Sequence, residues 1–150
     1  MQLSPATVNT LKVIPSVLDK VIPLKTVINK SELISAPLAQ QNYSVLIGIM
    51  GDAKGRIILE VTKDLLSDIA FTSYGMRLDD DMLASFLGEL GNMVGGNLAS
   101  GVYSLGTSFD ITPPTVMYGS TTIYNITSAV KIPLQVDNRD EMTMILALEA

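Results

Sequence analysis

A long apolar segment that is rich in glycine, residues 83–105, constrains the fold of this chain most strongly. Gly91, Gly95 and Gly96 each cost about 1 kcal/mol relative to alanine inside a helix, a cost usually met where a backbone must approach another element closely. We therefore expect some of these glycines to lie against a sheet. Leucine and valine recur at helical spacing through the segment, which predicts a buried stripe formed by Leu83, Leu87, Leu90, Val94, Leu98 and Leu105.

Polar residues occupy the opposite side of this predicted helix. Glu89 and Asn92 are three residues apart, so their side chains project side by side and away from the core. Ser85 and Gly96 share that face by angle, and Gly96 leaves it flat. The flank beside Glu89 carries apolar side chains of the kind enriched at protein contacts, namely Met82, Phe86 and Met93. The arrangement predicts a surface for a macromolecular partner rather than a pocket for a small ligand, although an ordinary solvated helix edge has the same spacing.

The composition excludes several classes of chemistry. The 150 residues include no cysteine and no histidine, which removes structural zinc sites, thiol nucleophiles, Ser-His-Asp triads and imidazole bases. A net charge of −5, with lysine and arginine scattered along the chain, argues against nucleic acid or an anionic membrane as the main partner. With 47% hydrophobic residues and no low-complexity tract, residues 1–150 are expected to form one globular domain.

The sequence also indicates where the protein works. Its first residues lack the basic and apolar regions of a secretory signal, so we expect a cytoplasmic location. Residues 90–109 carry no charge, but their glycines, asparagines and hydroxyl side chains argue against a membrane span. The mean hydropathy of +0.36 is high for a monomer and leaves room for a buried subunit interface.

The pattern along the first half predicts a helix, a hairpin and a second helix. Ser4 and Pro5 form a helix start, and apolar residues then recur at helical spacing from Val8 to Val21, with Pro15 expected to kink or split the helix. Residues 25–33 can form a strand. Residues 43–50 and 56–61 are rich in β-formers and are joined by a hairpin at residues 51–55. A second helix is predicted from residue 62 to residue 74, ended by Gly75.

The second half begins with an acidic triplet, residues 79–81, at the start of the long helix. Carboxylates there cap free N–H groups and complement the helix dipole; a magnesium or calcium site is the alternative. Gly106 is predicted to end the helix, and residues 115–119, 123–136 and 142–148 to form strands. This order favours an α+β fold, with helices on one face of a sheet and a loose internal two-fold repeat of a helix followed by strands. The first helix has no second Glu-x-x-Asn pair.

Together these features resemble the CheX branch of the CheC/CheX/FliY family, phosphatases of bacterial chemotaxis. The resemblance rests on Gly88-Glu89-Leu90-Gly91-Asn92 with the following Gly96-Asn97, on the hairpin at residues 51–55, and on Pro114-Thr115-Val116-Met117-Tyr118-Gly119. It covers essentially the whole chain. It implies a CheC-like fold with an antiparallel or mixed sheet and long helices packed on one face.

The resemblance also implies a function and a partner. The substrate would be the aspartyl phosphate of a phosphorylated CheY-like response regulator. Glu89 would pair with the active-site lysine of the regulator as an anchor, and Asn92 would enter its acid pocket and position the attacking water. Ser85, Phe86, Met93 and Gly96 would contact the partner. No cofactor or metal of the chain's own is expected, because the partner's carboxylates would hold Mg²⁺. Members of this branch join sheets to form homodimers, so a homodimer is expected here.

Two other functions remain open on the sequence alone. The chain could be a non-catalytic adaptor that binds receiver domains, or an interaction module of the flagellar-switch type on the same fold. It could also be a dimeric scaffold whose polar pair is merely solvated. Catalysis is favoured because both Glu89 and Asn92 are present.

Overall fold

An antiparallel sheet covered on one face by three helices forms the architecture. The computed structural model describes residues 3–35, 37–126 and 128–149, and all element bounds refer to this part of the chain. The elements, in chain order, are α1 (Pro5–Val21), β1 (Thr26–Ile28), β2 (Glu32–Ile34), β3 (Leu38–Gln40), β4 (Tyr43–Gly51), β5 (Gly55–Val61), α2 (Lys63–Tyr74), α3 (Asp80–Tyr103), β6 (Phe109–Ile111), β7 (Thr115–Tyr118), β8 (Thr121–Ile123), β9 (Ala129–Val136) and β10 (Arg139–Leu148).

The sheet has an internal two-fold arrangement. Its eight strands follow the order β1-β9-β10-β5-β4-β6, with β2 also pairing with β9 and β7 with β4, while β3 and β8 form a separate ribbon. The first half runs from α1 to β5 and the second from α3 to β10. Each half consists of a helix, two short strands that pair with the hairpin of the other half, one strand of the ribbon, and its own hairpin. The two hairpins meet where β5 pairs with β10 at the centre. This topology confirms the predicted fold class and loose repeat, with α2 placed between the halves.

Alternation along the strands explains why the helices share one face. Residues two apart on a strand point to the same side, so Ile57 and Leu59 of β5 face the helices while Ile58 faces away. Ile58 packs instead with Ile123 and Ile145 beneath the β3–β8 ribbon. The sheet thus has a main core under the helices and a smaller one under the ribbon.

Helix α1 begins as predicted, and its buried face includes two threonines beside the apolar residues. The Ser4 side chain accepts a hydrogen bond from the Thr7 N–H at 3.2 Å, and the helix runs unbroken through Pro15. Ile14, Leu18 and Val21 of the apolar series are buried, whereas Val8 is exposed. Thr7 and Thr10 are buried as well. The Thr10 hydroxyl donates to the Ala6 carbonyl at 2.8 Å, so it can be buried without losing its hydrogen bond.

The C-terminal end of α3 confirms one prediction and corrects another. Gly106 has φ +91, its N–H donates to the Tyr103 carbonyl at 3.1 Å, and the Thr107 N–H donates to the Val102 carbonyl at 3.0 Å. These two bonds form a Schellman motif, so Gly106 ends the helix as predicted. Leu105 lies within this turn and is exposed, so its assignment to the core stripe was wrong. The other five predicted members of the stripe are buried.

The remaining differences concern short strands. The segment predicted as one strand, residues 25–33, is divided into β1 and β2, which both pair with β9. The segment predicted as one strand at residues 123–136 is also divided, with Ile123 ending β8 and β9 beginning at Ala129. The three-residue strands β3 and β6 were not predicted. Among the described residues, no helix is both long and apolar enough to cross a membrane.

Close contact between α3 and the sheet depends on two of the predicted glycines. A Cβ atom added at Gly91 would lie 2.8 Å from a methyl carbon of Val45, and one at Gly95 would lie 3.2 Å from Ile111. A Cβ atom at Gly96 would meet nothing within 4 Å. Gly91 and Gly95 are therefore packing residues, whereas Gly96 lies on the open side.

We expect Gly91→Ala and Gly96→Ala to change stability in opposite directions. The first forces Val45 or the helix to shift and should destabilise the fold by about 1–3 kcal/mol, despite the better helix propensity of alanine. The second adds propensity without a clash and should stabilise the fold by up to about 1 kcal/mol. Urea denaturation of both variants measures this difference. A Gly91→Ala variant as stable as the wild type would contradict the packing account.

Candidate functional site

The outer face of α3 is positioned by the start of the helix. The Asp79 side chain accepts a hydrogen bond from the Met82 N–H at 2.8 Å, which makes it the N-cap, as predicted. Asp80 pairs with Lys63 at the start of α2, with 2.7 Å between Nζ and Oδ1. Burial raises the pKa of Tyr43, and the neighbouring Asp80 raises it further. Within the described residues, no cluster of three or more acidic side chains is arranged to hold a metal ion.

Four of the six predicted site residues have exposed side chains on this face. Ser85, Glu89, Asn92 and Met93 are exposed, and they follow one another over about two and a half turns of α3. Gly96 comes one turn after Asn92, and its missing side chain leaves the surface beside it open. The structure therefore brings these five residues together on one strip of surface.

Phe86 is placed differently from the expectation. Only 8% of it is exposed, and it packs with the main core rather than standing free beside Glu89. Its ring meets Tyr74 of α2 edge to face, with ring centroids 5.6 Å apart. Phe86 is buried because α2 covers this side of α3. Phe86 can therefore support a partner surface but offers little area of its own.

Glu89 and Asn92 are the polar residues at the centre of this strip. In the described part of the chain, neither side chain takes part in a hydrogen bond or an ion pair. The nearby Asn97 differs, because its Nδ2 donates to the Met93 carbonyl at 2.7 Å and so belongs to its own helix. A carboxylate that can accept, and a carboxamide that can both donate and accept, are thus left facing outward.

An apolar groove beside Glu89 was missed by the sequence analysis. It lies between the end of α2 and the first half of α3, and has a volume of about 690 Å³. Exposed Tyr74 and Met76 line it together with Met82. One residue in the sequence could have indicated the groove. Tyr74 is an aromatic residue in the last turn of α2 and does not belong to the buried stripe of that helix.

Ion pairs hold α2 against the sheet. Arg139 in β10 pairs with Glu141 at 2.6 Å and also with Asp68 of α2, while the Thr62 hydroxyl that caps α2 donates to Glu141 at 2.7 Å. Hydrogen bonds from Arg77 and Arg139 lower the pKa of Asp68, and bonds from Arg139 and Thr62 lower that of Glu141. The same carboxylates raise the pKa of Arg139. The network fixes the helix that forms one wall of the groove.

Comparison with known proteins identifies the family. A family model described as "Chemotaxis phosphatase CheX" matches residues 43–135, which include all of α3 and its outer face. This chain belongs to the CheX family. The CheY-P phosphatase CheX of Thermotoga maritima is 32% identical over 109 residues, covering 70% of each chain. Both findings confirm the resemblance inferred from the sequence.

Solved structures share the fold. CheX from Vibrio vulnificus matches with a TM-score of 0.81 at 22% identity, over 97% of this chain and all of that one. CheX in a CheX–CheY–BeF₃–Mg²⁺ complex from Borrelia burgdorferi matches with a TM-score of 0.78 at 24% identity, over 97% of this chain and 98% of the other. At these identities the likeness concerns the fold, and the roles of the site residues stay predictions.

Proposed function

We propose that this protein hydrolyses the aspartyl phosphate of a response regulator with a CheY-like receiver domain. The observation that carries the proposal is the exposed pair of Glu89 and Asn92 on α3 in a member of the CheX family. The relative from T. maritima is named a CheY-P phosphatase, and the fold neighbour from B. burgdorferi was solved with CheY. Both names support a phosphorylated receiver domain as the substrate.

Asn92 is the proposed catalytic residue. Water attacks phosphorus in line with the bond to the aspartate, that bond breaks, and the products are the free carboxylate and inorganic phosphate. The task is mostly positioning, because little covalent chemistry falls to the protein. A carboxamide can hold a water by accepting one of its hydrogens while donating to a phosphoryl oxygen, and it does not titrate. No covalent intermediate on this chain is needed.

Glu89 is proposed as an anchor rather than a general base. It lies one helical turn before Asn92, so its carboxylate reaches the partner about 4.5 Å along the helix axis from the amide. Pairing with a lysine of the receiver domain would fix the depth and direction at which Asn92 enters. We propose that the receiver domain binds Mg²⁺ through carboxylates of its own. The ion would neutralise charge on the phosphoryl group.

We expect Asn92→Ala to abolish accelerated dephosphorylation and to leave the fold and much of the binding intact. The side chain is exposed, so truncation removes no core contact, and kcat should fall by about 100-fold or more. Release of phosphate from a phosphorylated receiver domain measures the effect. Asn97→Ala is a matched control, because that amide is bonded to its own helix and its loss should change kcat by less than about twofold.

The same assay on the wild type separates catalysis from the binding-only alternative. An adaptor or a module of the flagellar-switch type would use the docking face without the amide chemistry. Wild type that binds the receiver domain but never speeds its dephosphorylation would support that alternative. Near-normal activity of Asn92→Ala would overturn the role assigned to the amide.

For Glu89→Gln we expect a kinetic effect of another kind. Loss of the anchoring charge should raise apparent KM, with a kcat loss smaller than that of Asn92→Ala. Removing one member of a partly desolvated pair can cost about 2–5 kcal/mol, much of it from the lysine left without its mate. Glu32→Gln, in an exposed pair with Lys131, is the control and should leave KM unchanged. A double-mutant cycle combines Glu89→Gln with a substitution of the receiver lysine, and strictly additive effects of the two changes would contradict the anchor role.

We further propose that the protein is a cytoplasmic homodimer of 150-residue domains joined through sheet edges. The outer strands β1 and β6 are each three residues long and paired on one side only in the described sheet. Val27 of β1 and Leu33 of β2 add exposed apolar side chains at one edge. Light scattering at micromolar concentration should give the mass of two chains, and Glu89→Gln should not change it. A monomeric mass would count against this assembly.

A further inference from the structure

The groove beside Glu89 has apolar walls that remain exposed in the free protein. Tyr74, Met76 and Met82 are 57%, 55% and 51% exposed, and their side chains surround the same opening. Phe86 forms the floor, with Tyr74 packed against its edge. Contiguous apolar surface of this kind marks an interaction site more often than a structural accident, and a shape open to solvent suits a protein side chain.

The walls of the groove are held in place before any partner arrives. Gly75 ends α2 with φ +73, and its N–H donates to the Phe71 carbonyl at 2.7 Å. Arg77 then folds back along α2, where its Nη1 donates to Asp68 at 2.7 Å and its guanidinium lies 4.6 Å from the centre of the Phe71 ring. These contacts fix both sides of Met76, so a partner would not have to order this turn on binding.

The rim of the groove is acidic. Asp81 and Glu89 lie on it, and none of the lining residues in the described chain is a lysine or an arginine. The protein as a whole carries a net charge of −5. An occupant with a positive charge next to an apolar group therefore complements the groove better than a neutral or acidic one.

The groove is also continuous with the proposed catalytic strip. Glu89 belongs to both, and Ser85 lies between Met82 and Glu89 on the same exposed face of α3. A receiver domain held by Glu89 and Asn92 would thus cover the opening of the groove.

We propose that this groove binds an apolar side chain of the receiver domain that has a lysine or arginine beside it, and that Met76, Met82 and Asp81 thereby determine which receiver is selected. The inference rests on the proposed function, since it concerns the same partner. The groove acts through binding and not on the reacting atoms, so it should influence KM and Kd and leave kcat largely unchanged.

The test compares a groove variant with a matched control on the same helix-and-sheet framework. Met76→Ala combined with Met82→Ala removes two exposed side chains, and Met50→Ala removes an equally exposed methionine, 59% exposed, from β4. The binding probes are CheY-like receiver domains from the organism that encodes this chain, loaded with beryllofluoride and Mg²⁺. Calorimetry measures their Kd for each variant. The groove variant should raise Kd and KM by about tenfold with kcat within about twofold, and the control should change neither.

Charge is tested in the same assay. Asp81→Asn should raise KM by about threefold at low ionic strength and by less at high salt, because an exposed pair is screened. Asp64→Asn is the control, since Asp64 is an exposed acid in the first turn of α2 and does not line the groove. An equal effect of the two substitutions would show that only net charge matters and would overturn the assignment of Asp81.

The outcomes distinguish this inference from the proposed function. Unchanged Kd and KM in the methionine variant, with activity still dependent on Asn92, would overturn the groove and keep the phosphatase. Weaker binding of that variant to a receiver whose dephosphorylation the wild type never accelerates would keep the groove and overturn the phosphatase. Failure of the wild type to bind any of the receiver domains would overturn both.

Discussion

Close packing of α3 against the sheet underlies the arrangement of the candidate site. Gly91 and Gly95 let the helix backbone rest on Val45 and Ile111, where an added Cβ atom would lie 2.8 Å and 3.2 Å from the nearest methyl carbon. This contact fixes the rotation of α3 about its axis. Because the side of the helix with Gly91 and Gly95 packs on the sheet, Glu89 and Asn92 lie on the exposed side. Packing in the core therefore determines which side chains are exposed on α3.

Helix α2 lies beside the candidate site and forms one wall of the apolar groove. It is held at its start by Thr62 and at its side by Arg139. Hydrogen bonds from Arg77 and Arg139 lower the pKa of Asp68, and bonds from Arg139 and Thr62 lower the pKa of Glu141. The last turn of α2 covers Phe86, and its residue Tyr74 is exposed beside the strip that contains Glu89 and Asn92. The result is a flat polar surface next to an apolar groove, which is the composition expected of a surface for a protein partner.

Much of the fold and of the site was predictable because it depends on local signals. Caps at Ser4, Asp79 and Gly106 and the hairpin at residues 51–55 follow from short sequence patterns, and the rotation of α3 follows from its apolar period. The burial of Phe86 depends on α2, which a wheel drawn for one helix cannot include. Strands β3, β6 and β8 are defined by partners far along the chain. The burial of Thr7 and Thr10 in α1 was not predicted, because their polar hydroxyls form hydrogen bonds within the helix or at its cap that the apolar spacing does not show.

The proposed function requires the outer face of α3 to enter the active site of a phosphorylated receiver domain. A crystal structure of this protein bound to a CheY-like receiver domain with beryllofluoride and Mg²⁺ would show whether it does. We expect the Asn92 carboxamide within about 4 Å of the beryllofluoride, which is the reach needed to hold an attacking water, with Glu89 paired to a receiver lysine. A complex in which the receiver domain docks on α1, on a sheet edge or on the β3–β8 ribbon, with Asn92 still in solvent, would contradict the account.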